Sequence, residues 1–141
     1  MILLCPHCQK KNRVLLQRFE DAPACGQCGR PLLQGRPVAL DEQNFADVLA
    51  ASRRPVVVDF WAAWCGPCRI FAPVFEQAAA CHPELLFAKV DTDANPAIAA
   101  QYAIRSVPTL AVFRDGRLAQ RISGALPPAQ FEQWLAQATA H

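Results

Sequence analysis

Apolar residues recur at regular spacings from Val38 onward, but residues 1–36 show no such period and are rich in Cys, Gly, Pro and basic residues. The stretch Gln34–Pro37, between the two regions, has the composition of a linker. The chain is therefore predicted to contain a small module over residues 1–36 and a larger domain over residues 37–141.

The larger domain is predicted to alternate strands and helices. The continuous apolar run Val56–Trp61 is typical of a parallel strand buried on both faces. Further strands are predicted at 38–40, 85–90, 109–113 and 118–122, the last two joined at Asp115-Gly116 as a hairpin. Helices at i, i+3, i+4 spacing are predicted from about residue 41, after Cys65, after Asn95 and after Pro127. The buried face of the second helix is predicted to consist of Ile70, Phe71, Val74, Phe75 and Ala78. This order predicts an α/β fold, a mixed central sheet with helices on both faces.

The amino-acid composition limits the classes of protein to which the chain can belong. The 141 residues are 52% hydrophobic and 18% charged, which is globular, and the net charge of +2 does not favour nucleic acid. No apolar run is long enough to span a membrane, and Ile2–Leu4 is too short for a signal peptide. We therefore expect a cytoplasmic protein in a reducing compartment, where its seven cysteines act as metal ligands or catalysts.

Four cysteines in the first region form two Cys-x-x-Cys pairs separated by sixteen residues. This spacing predicts one tetrahedral Zn²⁺ site whose ligands are Cys5, Cys8, Cys25 and Cys28. Two disulfides or four free thiols are the alternatives. The segment is too short to bury a core, so it is expected to unfold without metal. Its role is left open between a docking surface and a redox response.

Cys65 and Cys68 follow the buried strand directly and open the next helix. A helix N-terminus lowers a thiol pKa through its free N–H groups and its dipole, and the thiolate is the reactive form. Cys65 is therefore predicted to be the exposed attacking thiol, and Cys68, one turn on, the less exposed resolving thiol. A Cys-x-x-Cys pair alone could instead bind metal, but no second pair lies in its own region.

Asp59 interrupts the strand that is predicted to be buried on both faces. Burial should raise the pKa of its carboxyl, which would make it a base for the Cys68 proton. Lys89, in the next strand, is the candidate charge partner. The alternatives are a strand-end Asp that reaches solvent and a solvated surface lysine.

Val107-Pro108 lies between a helix and a strand. A proline there is often only a stop signal. A cis bond would instead bring the loop to the cysteines and leave the Val107 backbone free for a peptide substrate.

The stretch Val58–Arg69 resembles the thioredoxin signature, and the resemblance extends over residues 38–140. It implies a thioredoxin fold, protein disulfide reduction, and a cis peptide before Pro108. It also implies re-reduction by a flavin-dependent thioredoxin reductase that uses NADPH, with no organic cofactor in the chain itself. The N-terminal cysteines resemble those of the zinc-containing subgroup. Ala63 departs from the acidic or polar residue common in the family. The implied substrate groove is lined by Trp64, Gly66, Pro67, Val107, Pro108, Gly124 and Ala125.

The leading hypothesis is a monomeric protein disulfide reductase. A zinc-ribbon binding module on a passive scaffold is one rival, and a disulfide oxidase or isomerase is another. Cys81 is interpreted as a small hydrophobic residue or a regulatory thiol, and His141 as solvated.

Overall fold

The computed structural model describes residues 1–140, so His141 lies outside the described residues. A five-stranded mixed sheet forms the centre, and a two-stranded hairpin lies at the N-terminus. The strands are β1 (Ile2–Leu4), β2 (Lys11–Arg13), β3 (Val38–Ala39), β4 (Val56–Trp61), β5 (Leu86–Asp91), β6 (Thr109–Arg114) and β7 (Arg117–Ser123). The helices are α1 (Phe45–Ala51), α2 (Gly66–Cys81), α3 (Pro96–Gln101) and α4 (Pro128–Ala138), with a short 3₁₀ helix at Leu16–Arg18.

The central sheet has the order β3-β5-β4-β6-β7. Strands β3, β5 and β4 are parallel, whereas β6 is antiparallel to β4 and forms a hairpin with β7. The predicted mixed sheet and thioredoxin fold are confirmed. No helix among residues 1–140 is both long and apolar enough to cross a membrane.

Side chains of β4 alternate between two cores, as the period of a strand requires. Val58 and Phe60 face one core with α1 and α3, and Val57 faces the other with α2 and α4. The same alternation places Asp59 on the α2 side of the sheet, which is the side that carries the cysteine pair.

The N-terminal segment shares its core with the sheet. Leu3, Phe19 and Leu32 are buried in the same cluster as Val38 and Phe45. The segment by itself is too short for a core, and packing against the first face of the sheet supplies the apolar surface it lacks.

Polar bonds reinforce this junction. Asn44 Nδ2 donates to the Ile2 carbonyl at 3.0 Å, and the Arg53 N–H donates to Glu20 Oε1 at 3.1 Å. Arg54, which is half-buried, donates to the Leu33 carbonyl at 3.4 Å.

Two local predictions were wrong. Helix α1 begins at Phe45, not near residue 41, because Asp41 Oδ1 accepts the N–H groups of Gln43 and Asn44 and holds a turn there. Ile70 is 76% exposed, because the buried stripe of α2 runs through Phe71 and Phe75 and turns Ile70 to solvent.

Candidate functional site

The cysteine pair lies where β4 gives way to α2. Cys65 is the N-cap residue of α2, Pro67 lies in its first turn, and the Cys68 N–H donates to Cys65 Sγ at 3.1 Å. Cys65 and Cys68 are joined as a disulfide, with their Cα atoms 5.3 Å apart. A helix N-terminus thus directs both a backbone donor and its positive dipole end at this sulfur.

The predicted difference in exposure between the two cysteines is absent from this oxidised form. Cys65 is 3% exposed and Cys68 is 4% exposed. The prediction that Cys65 is exposed is therefore wrong for the disulfide state. The bond turns the Cys65 sulfur toward Cys68, and Ala62, Trp61 and Val107 pack around the pair.

The loop before β6 reaches the disulfide through a cis peptide bond between Val107 and Pro108, as the resemblance implied. The Val107 carbonyl oxygen lies 3.5 Å from Cys65 Sγ. The Pro108 carbonyl accepts the Gly124 N–H at 2.9 Å, which joins this loop to the residues that follow β7.

Asp59 lies within the buried part of β4 and is 4% exposed. Its Oδ1 has no hydrogen-bond partner among the described residues. Burial raises the pKa of the Asp59 carboxyl to about 7, and the charge of Lys89 opposes part of this rise. The carboxyl is therefore placed to exchange a proton near neutral pH.

Lys89 is the β5 residue paired with Asp59 in the parallel register, and it is partly exposed. A cavity of about 230 Å³ is lined by Asp59, Lys89, Cys68 and Glu76, with Trp61 at one side. The predicted acid, its charge partner and the second cysteine therefore meet in one space, which is large enough to hold water.

The remaining predicted groove residues are wholly or partly exposed. Trp64 is 69% exposed, Gly66 and Pro67 are exposed, and Gly124 and Ala125 are partly exposed. Together they are the residues of the predicted substrate surface.

Asp93 is a residue of this surface that sequence reasoning missed. The Trp64 indole Nε1 donates to Asp93 Oδ2 at 2.9 Å, which fixes the ring. The signal was available in principle, because Asp93 follows β5 and Trp64 follows β4, and these strands are parallel neighbours whose carboxyl ends meet at one edge.

A second cluster is formed by Cys5, Cys8, Cys25 and Cys28, whose sulfurs all lie within 4.8 Å of one another. The two pairs fold alike. Cys5 N–H donates to the Lys10 carbonyl and Cys25 N–H to the Arg30 carbonyl, both at 2.8 Å. The matching turn positions, Gln9 and Gly29, both have positive φ, which favours glycine and is tolerated by Gln9 here.

The pKa values of two of these thiols are shifted in opposite directions by their surroundings. The pKa of Cys25 is lowered to about 6, first by the backbone N–H of Cys28 and then by donors that include Asn12. A hydrogen bond with the Lys10 backbone lowers the pKa of Cys8, but burial and the three neighbouring thiols together raise it more. The net result is a pKa of about 12. Four thiolates this close repel one another unless a divalent cation neutralises them, so the donor set fits Zn²⁺.

His7 lies between Cys5 and Cys8 in the sequence, and its Nε2 is buried with no hydrogen-bond partner among the described residues. Cys81 is exposed at the end of α2, so it is not a packed small hydrophobic residue. Asn12, which sequence reasoning missed, donates to Cys25 Sγ at 3.5 Å and accepts the Gly26 N–H at 3.0 Å.

A cysteine pair presented at a helix N-terminus beside a cis-proline loop is characteristic of thiol–disulfide oxidoreductases, and comparison with known proteins places the chain in that class. The chain belongs to the thioredoxin family, whose profile matches residues 36–137. Residues 4–30 match a second family, described as the N-terminal part of thioredoxin 2, which is a zinc ribbon.

Individual relatives agree. Thioredoxin C-3 of Corynebacterium nephridii is 45% identical over 137 residues, which cover 97% of this chain and 94% of that protein. A putative thioredoxin 2 of Streptomyces coelicolor is 44% identical over 101 residues, covering 72% of this chain and 75% of that one. Among solved structures, a thioredoxin mutant from Halobacterium salinarum matches with a TM-score of 0.69 and 31% identity, over 77% of this chain and 96% of that one.

Proposed function

We propose that the chain is a protein disulfide reductase of a reducing, cytoplasmic compartment, with Cys65 and Cys68 as its redox pair. The observation that carries the proposal is the 3.1 Å bond from the Cys68 N–H to Cys65 Sγ at the start of α2. In the reduced chain this donor and the helix dipole favour the Cys65 thiolate over the thiol.

The reaction transfers two electrons to a substrate. The Cys65 thiolate attacks one sulfur of a substrate disulfide, and the other sulfur leaves as a thiolate that takes up a proton. Cys68, once deprotonated, attacks Cys65 Sγ and releases the second substrate thiol. The chain is left as the Cys65–Cys68 disulfide, the form in which the structure holds it.

Asp59 is proposed to take the Cys68 proton. Both groups line the same cavity of about 230 Å³, so a water molecule there can relay the proton. Lys89 is proposed to keep the pKa of Asp59 from rising above the working pH. Asp59→Asn is expected to slow release of the mixed disulfide while leaving the first attack intact, a split that rapid-mixing kinetics resolve.

The surface formed by Trp64, Gly66, Pro67, Val107 and the Gly124-Ala125 turn is proposed to bind the substrate backbone, with Pro108 positioning Val107. Regeneration is assigned to a flavin-dependent thioredoxin reductase with NADPH as the donor. Zn²⁺ is proposed to be held by Cys5, Cys8, Cys25 and Cys28, where it supplies a structural cross-link.

Reduction of insulin disulfides, with bound zinc quantified on the same samples, tests the assignment. Cys65→Ser is expected to abolish reduction and to retain zinc. Cys81→Ser is the matched control, since Cys81 is a free cysteine outside both clusters, and it should keep full activity. Reduction that survives Cys65→Ser would overturn the proposal by assigning the activity to other thiols, absence of reduction by the wild type would favour a passive scaffold, and a redox poise more oxidising than glutathione would favour an oxidase.

Because Cys65 is buried in the disulfide, alkylation of the reduced chain is a second test of its role. Reduction breaks the bond that holds its sulfur against Cys68, so the reduced chain should be alkylated by iodoacetamide first at Cys65. Mass spectrometry identifies the modified residue. Equal or faster alkylation of Cys68 would contradict the proposed division of roles.

A further inference from the structure

A groove of about 810 Å³ lies between the β1–β2 hairpin and the carboxyl edge of the central sheet. Strand alternation builds one of its walls. In the antiparallel register Ile2 pairs with Arg13 and Leu4 with Lys11, and all four line the groove. The intervening residues point away, Leu3 into the shared core and Asn12 to the zinc cysteines.

Two cations on this groove, Lys11 and Arg13, have no acidic partner among residues 1–140, and a third, Lys89, is the charge partner of Asp59. Among residues 1–140, no carboxylate oxygen lies within 4.0 Å of the side-chain nitrogens of Lys11, Arg13 or Lys89. Asp41 and Asp91 also line the groove, but each uses its Oδ1 to accept two backbone N–H groups. Lys11 and Arg13 are therefore available to a ligand, whereas each of the two carboxylates, although still charged, commits one oxygen to the backbone.

The groove also has apolar surface. Ile2 is 43% exposed, and Leu4, Ala39 and Trp61 continue its lining toward the sheet edge. Exposed apolar side chains framed by unpaired cations favour a ligand whose own side chains are alternately acidic and apolar. An extended peptide has that alternation at the same period as the β1–β2 wall.

We propose that this groove binds an extended acidic segment of a substrate protein, with carboxylates at Lys11 and Arg13 and apolar side chains on Ile2 and Trp61. The groove adjoins the redox site, because Trp61 and Lys89 also line the cavity that contains Asp59 and Cys68. The choice of a substrate as the occupant rests on the proposed reductase function, whereas the binding itself does not.

Binding is measured first, by fluorescence anisotropy, with a labelled cysteine-free peptide that alternates Glu with Val and with the zinc-loaded full chain. The double variant Lys11→Gln, Arg13→Gln should weaken binding about fivefold at low salt. The double variant Lys10→Gln, Arg117→Gln removes the same charge outside the groove and should change binding less than about twofold.

Several outcomes overturn the groove assignment: no saturable binding, equal weakening by both double variants, equal binding of a peptide with Lys in place of Glu, or equal binding of a single-stranded oligonucleotide. Unchanged zinc content and circular dichroism verify that the exposed substitutions leave the fold intact.

The occupant is tested by turnover of a disulfide peptide that carries the same acidic segment. The groove variant should raise KM about fivefold with kcat unchanged, and it should reduce a disulfide peptide lacking the segment at the wild-type rate. An unchanged KM overturns the substrate assignment. If the wild-type chain reduces neither disulfide peptide, the reductase function is refuted instead, and the peptide-binding result still stands.

Discussion

Asp59→Asn should stabilise the folded chain at neutral and alkaline pH. Asn replaces the carboxyl with a group of nearly equal volume that cannot ionise. The oxidised, zinc-loaded chain is the form to test, because the disulfide keeps Cys68 from titrating beside Asp59.

The magnitude follows from the pKa of the Asp59 carboxyl, which rises from 3.8 to about 7 on folding, through burial and against the charge of Lys89. Below pH 3.8 the carboxyl is protonated in both states, so wild type and variant differ little. As pH rises from there to about 7, the unfolded chain loses the proton while the folded chain keeps it, and wild-type stability falls. Each unit of difference is worth about 1.4 kcal/mol, so the variant should gain up to about 4 kcal/mol above pH 7.

Guanidinium unfolding at several pH values measures this gain as the difference in free energy of unfolding between variant and wild type. The difference should grow through the acid range and level off above pH 7. Asp47→Asn, at a partly exposed site in the first turn of α1, is the control and should stay within about 0.5 kcal/mol at every pH. An Asp59→Asn difference that does not vary with pH would refute the reasoning.

Three further substitutions test the Lys89 charge, the shared core and the His82 ion pairs. Lys89→Gln should move the pH midpoint of the Asp59 effect upward, measured by the same unfolding series, because the Lys89 charge lowers the pKa of that carboxyl. Phe19→Ala should cost about 3–5 kcal/mol and lower the melting temperature of the whole chain in one calorimetric transition, since Phe19 lies in the shared core. Burial lowers the pKa of His82, but the hydrogen bonds that its ring donates to Glu132 and Glu84 raise it more, so its net shift is upward. Its stabilisation should thus be present below pH 6.5 and fade as pH rises through the folded pKa, and His82→Gln should remove that pH dependence from thermal unfolding curves.

The order of strands and helices could be predicted because it rests on local periodicity. The run Val56–Trp61 and the hairpin at Asp115-Gly116 each carry their signal within a few residues. Ile70 shows the limit of that signal. An apolar residue near a helical stripe can point to solvent, and only the neighbouring elements decide whether anything covers it.

The residues of the candidate site likewise fall into those that the sequence indicated and those that it did not. Asp59 stood out because a single carboxyl interrupted an apolar strand, and its burial and raised pKa bear this out. Asp93 was indicated only indirectly, by the pairing of the strands that precede it and Trp64, and Asn12 carried no signal, since each acts on a residue distant in the sequence. The burial of Cys65 also depends on a redox state that no pattern in the chain records.

The position of the N-terminal segment follows from packing and not from its linker. Gln34–Arg36 are exposed and would by themselves allow the segment to swing. A swing of the segment would expose Leu3 and Phe19, which are buried in the core that the segment shares with the sheet. It would also break the hydrogen bond from Asn44 to the Ile2 carbonyl. The β1–β2 hairpin is thereby held with one face on the core and the cysteine cluster and the other on the groove. A change at the cysteines that loosened the hairpin would move Lys11 and Arg13, so zinc occupancy and groove binding should change together.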